Sequence, residues 1–223
     1  MSALPVLQTR IGYSFTRLEL LQQALTHRSF SGTNNERLEF LGDSVLNFII
    51  AHQLFNLFPD LPEGDLSRLR AKLVKEASLA EIATSLHLGD ALKLGEGELK
   101  SAGWRRPSIL ADALEAIIGA AYLDGGFSVA EKVVTLLYRE RLTTIDPKVI
   151  DKDAKSQLQE YLQSKKMDLP EYQVVTIEGE AHAQTFTVQC QIKKLNLSTT
   201  GVGTSRRVAE QQAAQLAMEK IQS

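Results

Sequence analysis

The stretch Ser108–Gly126, SILADALEAIIGAAYLDGG, decides how this chain is read. Between Ile109 and Leu123 its only carboxylates are Asp112 and Glu115, set among Ile, Leu, Ala, Gly and a single Tyr. The segment reads as an apolar helix, and a spacing of three places both carboxylates on one face, able to meet a common point. No Lys or Arg lies within the stretch to pair with them. A second acidic cluster lies in Asn35–Ser44, NERLEFLGDS: Glu39 and Asp43 are four apart, with Glu36 one turn earlier. Beside them Leu38, Leu41, Val45 and Phe48 follow the three-four rhythm of a core stripe. Carboxylates gathered on apolar helices are costly unless something compensates them, and a divalent cation does so. Two such helices pressed together would bring four carboxylates to one place. The competing reading is a solvated acidic face, and periodicity alone does not show that the helices touch.

At 223 residues the chain suffices for one large domain or two small ones, and 43% hydrophobic with 23% charged residues is the balance of a soluble globular protein. No apolar run is long enough to span a bilayer, and the N-terminus lacks a signal-peptide pattern, so a cytoplasmic location without membrane contact is expected. One cysteine, Cys190, rules out an internal disulfide, and four scattered histidines suggest no His-rich metal site. Split after Pro147, the chain carries 15 basic and 18 acidic residues before and 10 against 9 after, net −3 and +1. Neither part is a basic magnet. A nucleic-acid partner would have to be held by local clusters and shape.

From the start to residue 145 the pattern is helical, punctuated by turns at Phe58–Pro62, Gly89–Asp90, Gly95–Gly103 and Asp124–Gly126. Six or seven helices are predicted, with GEGELKSAGWRRP (Gly95–Pro107) as the longest loop and residues 146–153 as a short linker. The period then changes. Ala154–Lys165 reads as a helix with Leu158, Tyr161 and Leu162 inward, and Tyr172–Ile177 as a β-branched strand. Thr185–Ile192 alternates with Phe186, Val188, Cys190 and Ile192 on one face, and Asn196–Gly201 is a weaker third strand. A final helix begins near Ser205, capped by Thr204 or Ser205, with Val208, Ala209, Gln212, Ala213, Leu216 and Ala217 at helical spacing. The fold class is therefore an all-α N-terminal domain (1–145) followed by a small α-β-β-β-α module (154–223).

Ser156, Gln159 and Gln163 form one polar stripe on the first helix of that module, His182 sits at the tip of the first hairpin, and Arg206 and Arg207 open the last helix. Three contact regions on one surface suit a reader of A-form RNA, two for minor grooves and one for the phosphates between. Each also has a bland reading, as wet helix face, idle turn or solvated cation. Gly201-Val-Gly203 lacks the spacing of a dinucleotide fingerprint, so no small-molecule organic cofactor is expected. In the larger domain Glu63 lies near Arg68, Arg70, Lys72 and Lys75, and Arg105 and Arg106 stand in WRRP; these cations either hold a phosphate backbone or are surface charge.

The strings NERLEFLGDSVL, EGDLSRLRAKLV, SILADALEAIIGAAYLDGG, GEAHAQTF and GTSRRVAEQQAA together resemble bacterial ribonuclease III over almost the whole chain. The resemblance implies a nuclease domain that forms a homodimer through its signature helix, then a double-stranded RNA-binding domain. It implies Glu39, Asp43, Asp112 and Glu115 as metal ligands for Mg²⁺, with Mn²⁺ as a substitute, and Asp43 and Glu115 as the catalytic pair. Glu36 and Glu63 fall at auxiliary acidic positions, Phe40 at an apolar contact across the dimer, and Ser156, Gln159, Gln163, His182, Arg206 and Arg207 at duplex contacts. Val208 departs from the pattern, standing where a further lysine is common. The implied activity is hydrolysis of double-stranded RNA, leaving 5′-phosphate and 3′-hydroxyl ends with a short 3′ overhang, in processing of ribosomal RNA precursors and other structured transcripts. Two other classes stand beside it: a non-cleaving duplex-RNA regulator, against which all four carboxylates speak, and a helical hydrolase of small phosphate esters, against which the RNA-reading stripe speaks.

Overall fold

The computed structural model describes residues 3–146, 154–180 and 183–222. It divides into two compact units, Met1–Ile150 and Asp151–Ser223. Residues 147–153 of the expected linker lie outside the described residues.

Among the described residues the first unit holds eight α-helices: α1 (Ala3–Ile11), α2 (Leu18–Ala24), α3 (Glu36–Leu57), α4 (Glu63–Val74), α5 (Glu76–Ser85), α6 (Glu96–Lys100), α7 (Pro107–Gly125) and α8 (Phe127–Thr144). The apolar run that opened the sequence reading becomes α7, started by Pro107 at a position where a missing N–H costs nothing. It is buried almost all round, with Ala113, Leu114, Ala116, Ile117, Ile118, Ala120 and Ala121 fully inaccessible, because α2, α3, α5 and α8 all pack on it. Each such Leu or Ile contributes about 1.5–3 kcal/mol by burial. Helix α3 crosses α7 at very short range. A Cβ on Gly42 would lie 1.8 Å from the Glu115 carbonyl oxygen, and one on Gly119 2.2 Å from that of Leu38, so only glycines permit the crossing.

Three expectations fail here, the first being the helix count, eight among the described residues where six or seven are expected. The stretch Gly95–Pro107 is not all loop: it contains α6 and a 3₁₀ turn, Gly103–Arg105, tied together by an ion pair of 2.9 Å between Arg106 and Glu98. Side-chain ties rather than periodicity hold so short a helix. Phe48 is not core. Leu38 and Val45 are buried and Leu41 partly so, but Phe48 is 61% exposed and packs edge-on against Phe127, with ring centroids 5.5 Å apart. The buried face of α3 is Leu38, Gly42, Val45, Leu46, Ile49, Ile50 and Leu54, which leaves Phe48 to one side.

The second unit is α9 (Ala154–Ser164), β1 (Glu171–Glu178), β2 (Thr185–Ile192), β3 (Leu197–Gly203) and α10 (Arg206–Gln222). The strands form one antiparallel sheet in the order β1-β2-β3, with a register shift between Val174 and Thr176. Leu158, Leu162, Cys190, Ile192, Ala213, Ala214 and Ala217 make a separate small core. Val188 is buried too, whereas Phe186 is only half-buried. In α10 the phase differs from the sequence reading: Ala209, Glu210, Ala213, Ala214 and Ala217 face inward, while Val208, Gln212 and Leu216 are exposed. The small alanines bring the helix close enough for Thr199 Oγ1 to donate to the Ala213 carbonyl at 2.7 Å.

Candidate active site

The α3–α7 crossing brings carboxylates from both helices together. One oxygen from each of Glu39, Asp112 and Glu115 lies within 4.8 Å of the other two, and all three side chains are half-buried. Asp43 stands at the edge of this group, exposed, with its Oδ1 accepting from Asn47 Nδ2 at 2.8 Å. It remains within electrostatic reach, because after burial it is the largest influence raising Glu115. Burial and the charges of Asp43, Glu39 and Asp112 push Glu115 up to about 8. Burial raises Glu39, with Asp112, Glu36 and Asp43 adding to it. Asp112 is raised by burial and then by Glu76 on α5, against the opposing influence of His27 and Arg28. The cluster thus binds protons more tightly than free carboxylates do, which is the signature of negative charge held without a matching cation. Hard oxygen donors in this number and proximity fit a divalent cation such as Mg²⁺, since His27 and Arg28 offset the carboxylate charge only in part.

A polar cavity of about 270 Å³ opens beside the cluster, lined by Glu39 and Asp112 and also by His27, Arg28, Glu36 and Arg106. Glu36 faces Arg28 across 3.5 Å. Glu63 is elsewhere in its bonding: exposed on the first turn of α4, it accepts from Ser67 Oγ at 2.8 Å. Of the cations considered as phosphate holders, Arg68 is bound to the buried Asp65 at 2.6 Å and Arg105 lies over the Trp104 ring at 4.1 Å, so both have structural employment. Sequence reasoning passed over His27, Arg28, Glu76 and Glu98. Their only signal is position: they reach the site from the α2–α3 loop, α5 and α6, which no spacing rule connects to α3 or α7.

Phe40 is 78% exposed and borders a hollow of about 680 Å³ with Leu20, Leu38, Leu41 and Leu123. Phe48 and Phe55 are exposed along the same helix. In the second unit Gln159 and Gln163 are exposed on α9 and Ser156 is half-buried. Arg207 is exposed at the start of α10, where Ser205 Oγ accepts the Val208 N–H at 3.3 Å as the cap. Arg206 is paired at 2.8 Å with Glu210, which also holds Lys155 at 2.6 Å. His182 lies outside the described residues.

An all-α unit with a desolvated carboxylate cluster, followed by an α-β-β-β-α unit, defines a two-domain hydrolase that joins a metal-type site to a nucleic-acid-reading module. Residues 18–142 match the family model described as Ribonuclease-III-like, and residues 154–221 match the double-stranded RNA binding motif. Ribonuclease 3 of Thiobacillus denitrificans is 60% identical over 216 residues, covering 97% of this chain and 96% of that one. Ribonuclease 3 of Bordetella petrii is 58% identical over 221 residues, 99% of this chain and 88% of that one. Among solved structures, the nuclease domain of ribonuclease III from Campylobacter jejuni superposes with a TM-score of 0.62 at 47% identity, over 66% of this chain and 100% of that one. A second structure of that domain, described as having a flexible region involved in dimer formation, gives 0.59 at 48% identity, over 60% of this chain and 95% of that one. The chain belongs to the ribonuclease III family, and with that membership it is a metal-dependent endoribonuclease for double-stranded RNA.

Proposed function

We propose that this endoribonuclease holds Mg²⁺ on Glu39, Asp43, Asp112 and Glu115 and hydrolyses each strand of an RNA duplex by attack of water on phosphorus. Mn²⁺ would be held by the same residues as a substitute. A cation bound there would supply neutralisation of the non-bridging phosphate oxygens and activation of the attacking water. The residues supply the rest. Glu115 and Glu39 lose their raised proton affinity as positive charge arrives, and the rigid glycine-spaced crossing keeps the oxygens of α3 and α7 converged. Water adds its oxygen to phosphorus as the P–O3′ bond breaks, and the departing 3′ oxygen takes a proton, leaving a 5′-phosphate and a 3′-hydroxyl. Asp43 and Glu115 are the catalytic pair, with Glu36 and Glu63 in supporting positions.

Two copies related by a two-fold axis place two such sites across a duplex and yield a short 3′ overhang. The exposed Phe40 beside an apolar hollow supports that dimer, as does the dimer-forming region in the Campylobacter jejuni nuclease domain's description. Ser156, Gln159, Gln163, His182, Arg206 and Arg207 are the duplex contacts of the second unit. Ribosomal RNA precursors and other structured transcripts in the cytoplasm are the substrates this reading assigns; among the described residues no helix is long and apolar enough to cross a membrane.

The observation that carries this reading is the convergence of Glu39, Asp112 and Glu115 within 4.8 Å with raised proton affinity. The test is to incubate the protein and Mg²⁺ with a long RNA duplex, an RNA–DNA hybrid and a single strand, and to analyse the product ends. Cutting confined to the RNA duplex, with ligatable 5′-phosphates, is expected. Products ending in 2′,3′-cyclic phosphates would refute the hydrolytic scheme.

A further inference from the structure

His27 lines the same cavity as Glu39 and Asp112, yet it belongs to neither carboxylate-bearing helix. Its backbone is fixed. The His27 N–H donates to the Lys93 carbonyl at 3.0 Å, its carbonyl accepts from Phe30 at 2.9 Å, and the adjacent Thr26 forms a parallel bridge with Lys93. Its ring is fixed as well. The Ser29 backbone N–H donates to Nδ1 at 3.2 Å, and Ser29 Oγ lies 2.8 Å from the same nitrogen. That hydroxyl oxygen in turn accepts the Gly95 N–H at 3.0 Å.

These bonds assign the tautomer. A nitrogen that receives an amide N–H carries no proton, so the Ser29 hydroxyl donates to it too, and the neutral ring keeps its proton on Nε2. The chain Gly95 N–H to Ser29 Oγ–H to His27 Nδ1 therefore holds a donor in one orientation on the cavity wall. No residue among those described accepts from Nε2. Of the carboxylates that line the cavity, Glu39 and Asp112 are the cation's ligands in the reading given above, Glu36 faces Arg28 at 3.5 Å and Glu98 pairs with Arg106 at 2.9 Å, so the acceptor that suits this donor is an anion brought from outside. The anion that the reaction brings is a phosphate of the RNA strand.

We propose that His27 Nε2–H donates a hydrogen bond to a non-bridging oxygen of the RNA phosphate entering this cavity, making His27 a substrate-contacting residue of the cleavage site. The proposal rests on the carboxylate cluster being that site. The two ring nitrogens separate its test from a structural role. His27→Asn keeps an acceptor near Nδ1 for Ser29 and removes the distal donor; His27→Gln keeps a donor near Nε2. Each variant of the full chain is assayed for single-turnover cleavage of a long RNA duplex in Mg²⁺ at saturating enzyme, and for duplex binding in Ca²⁺. His27→Ala and His27→Asn are expected to cut about 10- to 100-fold more slowly, the loss of one hydrogen bond to a charged group, and His27→Gln to recover most of the rate. Recovery by Asn as good as by Gln would overturn the proposal in favour of a structural role, and so would a wild-type rate in His27→Ala. If the wild type itself leaves the duplex intact in Mg²⁺, the cleavage-site reading fails first, and that outcome is distinct from either of the others.

Discussion

Replacing Gly42 with alanine attacks the crossing on which the whole site depends. The added Cβ would sit 1.8 Å from the Glu115 carbonyl oxygen, against an ordinary carbon–oxygen contact of about 3.3 Å. Relief requires α3 and α7 to part by about 1.5 Å, because the obstacle is backbone and not a side chain that can swing away. The carboxylate oxygens converge within 4.8 Å, so a displacement of that size removes a large part of their common reach. Overpacking of this kind costs about 1–3 kcal/mol, or roughly 2–12 °C in melting midpoint for a domain of this size. A misplacement near 1 Å costs on the order of 100-fold in rate. Thermal unfolding with and without Mg²⁺, together with single-turnover cleavage, measures both. Gly119→Ala, 2.2 Å from the Leu38 carbonyl oxygen, is expected to behave alike, whereas Gly97→Ala, with nothing within 4 Å, serves as the neutral control. A Gly42→Ala protein with wild-type midpoint, Mg²⁺ response and rate would refute the reasoning.

Glu115 titrates at about 8 in the metal-free fold against 4.5 in the unfolded chain, so the native state holds the extra proton. Its contribution to stability is complete below about 4.5 and is lost as pH rises through about 8. On the proposed reading cation binding would displace that proton, and calorimetric titration is expected to show Mg²⁺ affinity rising between about pH 6 and about pH 8.5; a flat profile would contradict the site's electrostatics. Asp124 accepts from the Tyr13 hydroxyl at 2.7 Å and from the N–H groups of Thr16 and Arg17 at 2.8 and 2.9 Å. Burial alone would raise it, but these bonds outweigh burial and hold it below the usual carboxylate range. Asp124→Ala is expected to destabilise by about 1–3 kcal/mol in thermal unfolding near neutral pH, a difference that closes only as acid protonates the wild-type carboxyl. For the second unit, Arg207→Ala should reduce the slope of log affinity for duplex RNA against log salt by a little under one, as read by binding titrations in Ca²⁺. Val208→Lys should steepen it.

The sequence made the two-unit plan legible because each unit has a distinct period: three-four spacing through α3 and α7, and strict alternation through Val188, Cys190 and Ile192. The carboxylates were legible for the same reason, since Glu39 with Asp43 and Asp112 with Glu115 sit at helical spacings in apolar surroundings. What one-dimensional spacing lacks is phase relative to a neighbour. Phe48 fits the core rhythm of α3, yet the neighbour it meets is Phe127 at the surface, because the approach of α7 is fixed by Gly42 and Gly119. In α10 alanine occurs on several faces, so the pattern did not reveal that Glu210, held by Lys155 and Arg206, turns inward while Val208 and Leu216 turn out. Nor does any spacing announce His27, whose place in the cavity comes from its link through Ser29 to Gly95, 66 residues from Ser29 along the chain.

The most direct measurement compares the wild type with Glu115→Gln on a long RNA duplex, scoring cleavage in Mg²⁺ and binding in Ca²⁺. The amide keeps the shape of the side chain and removes its negative charge, so on the proposed reading it weakens what the carboxylate would do for the cation. A variant that binds the duplex as the wild type does and fails to cut it is the expected result. A variant that cuts at the wild-type rate would show that the chemistry does not pass through the α3–α7 carboxylates.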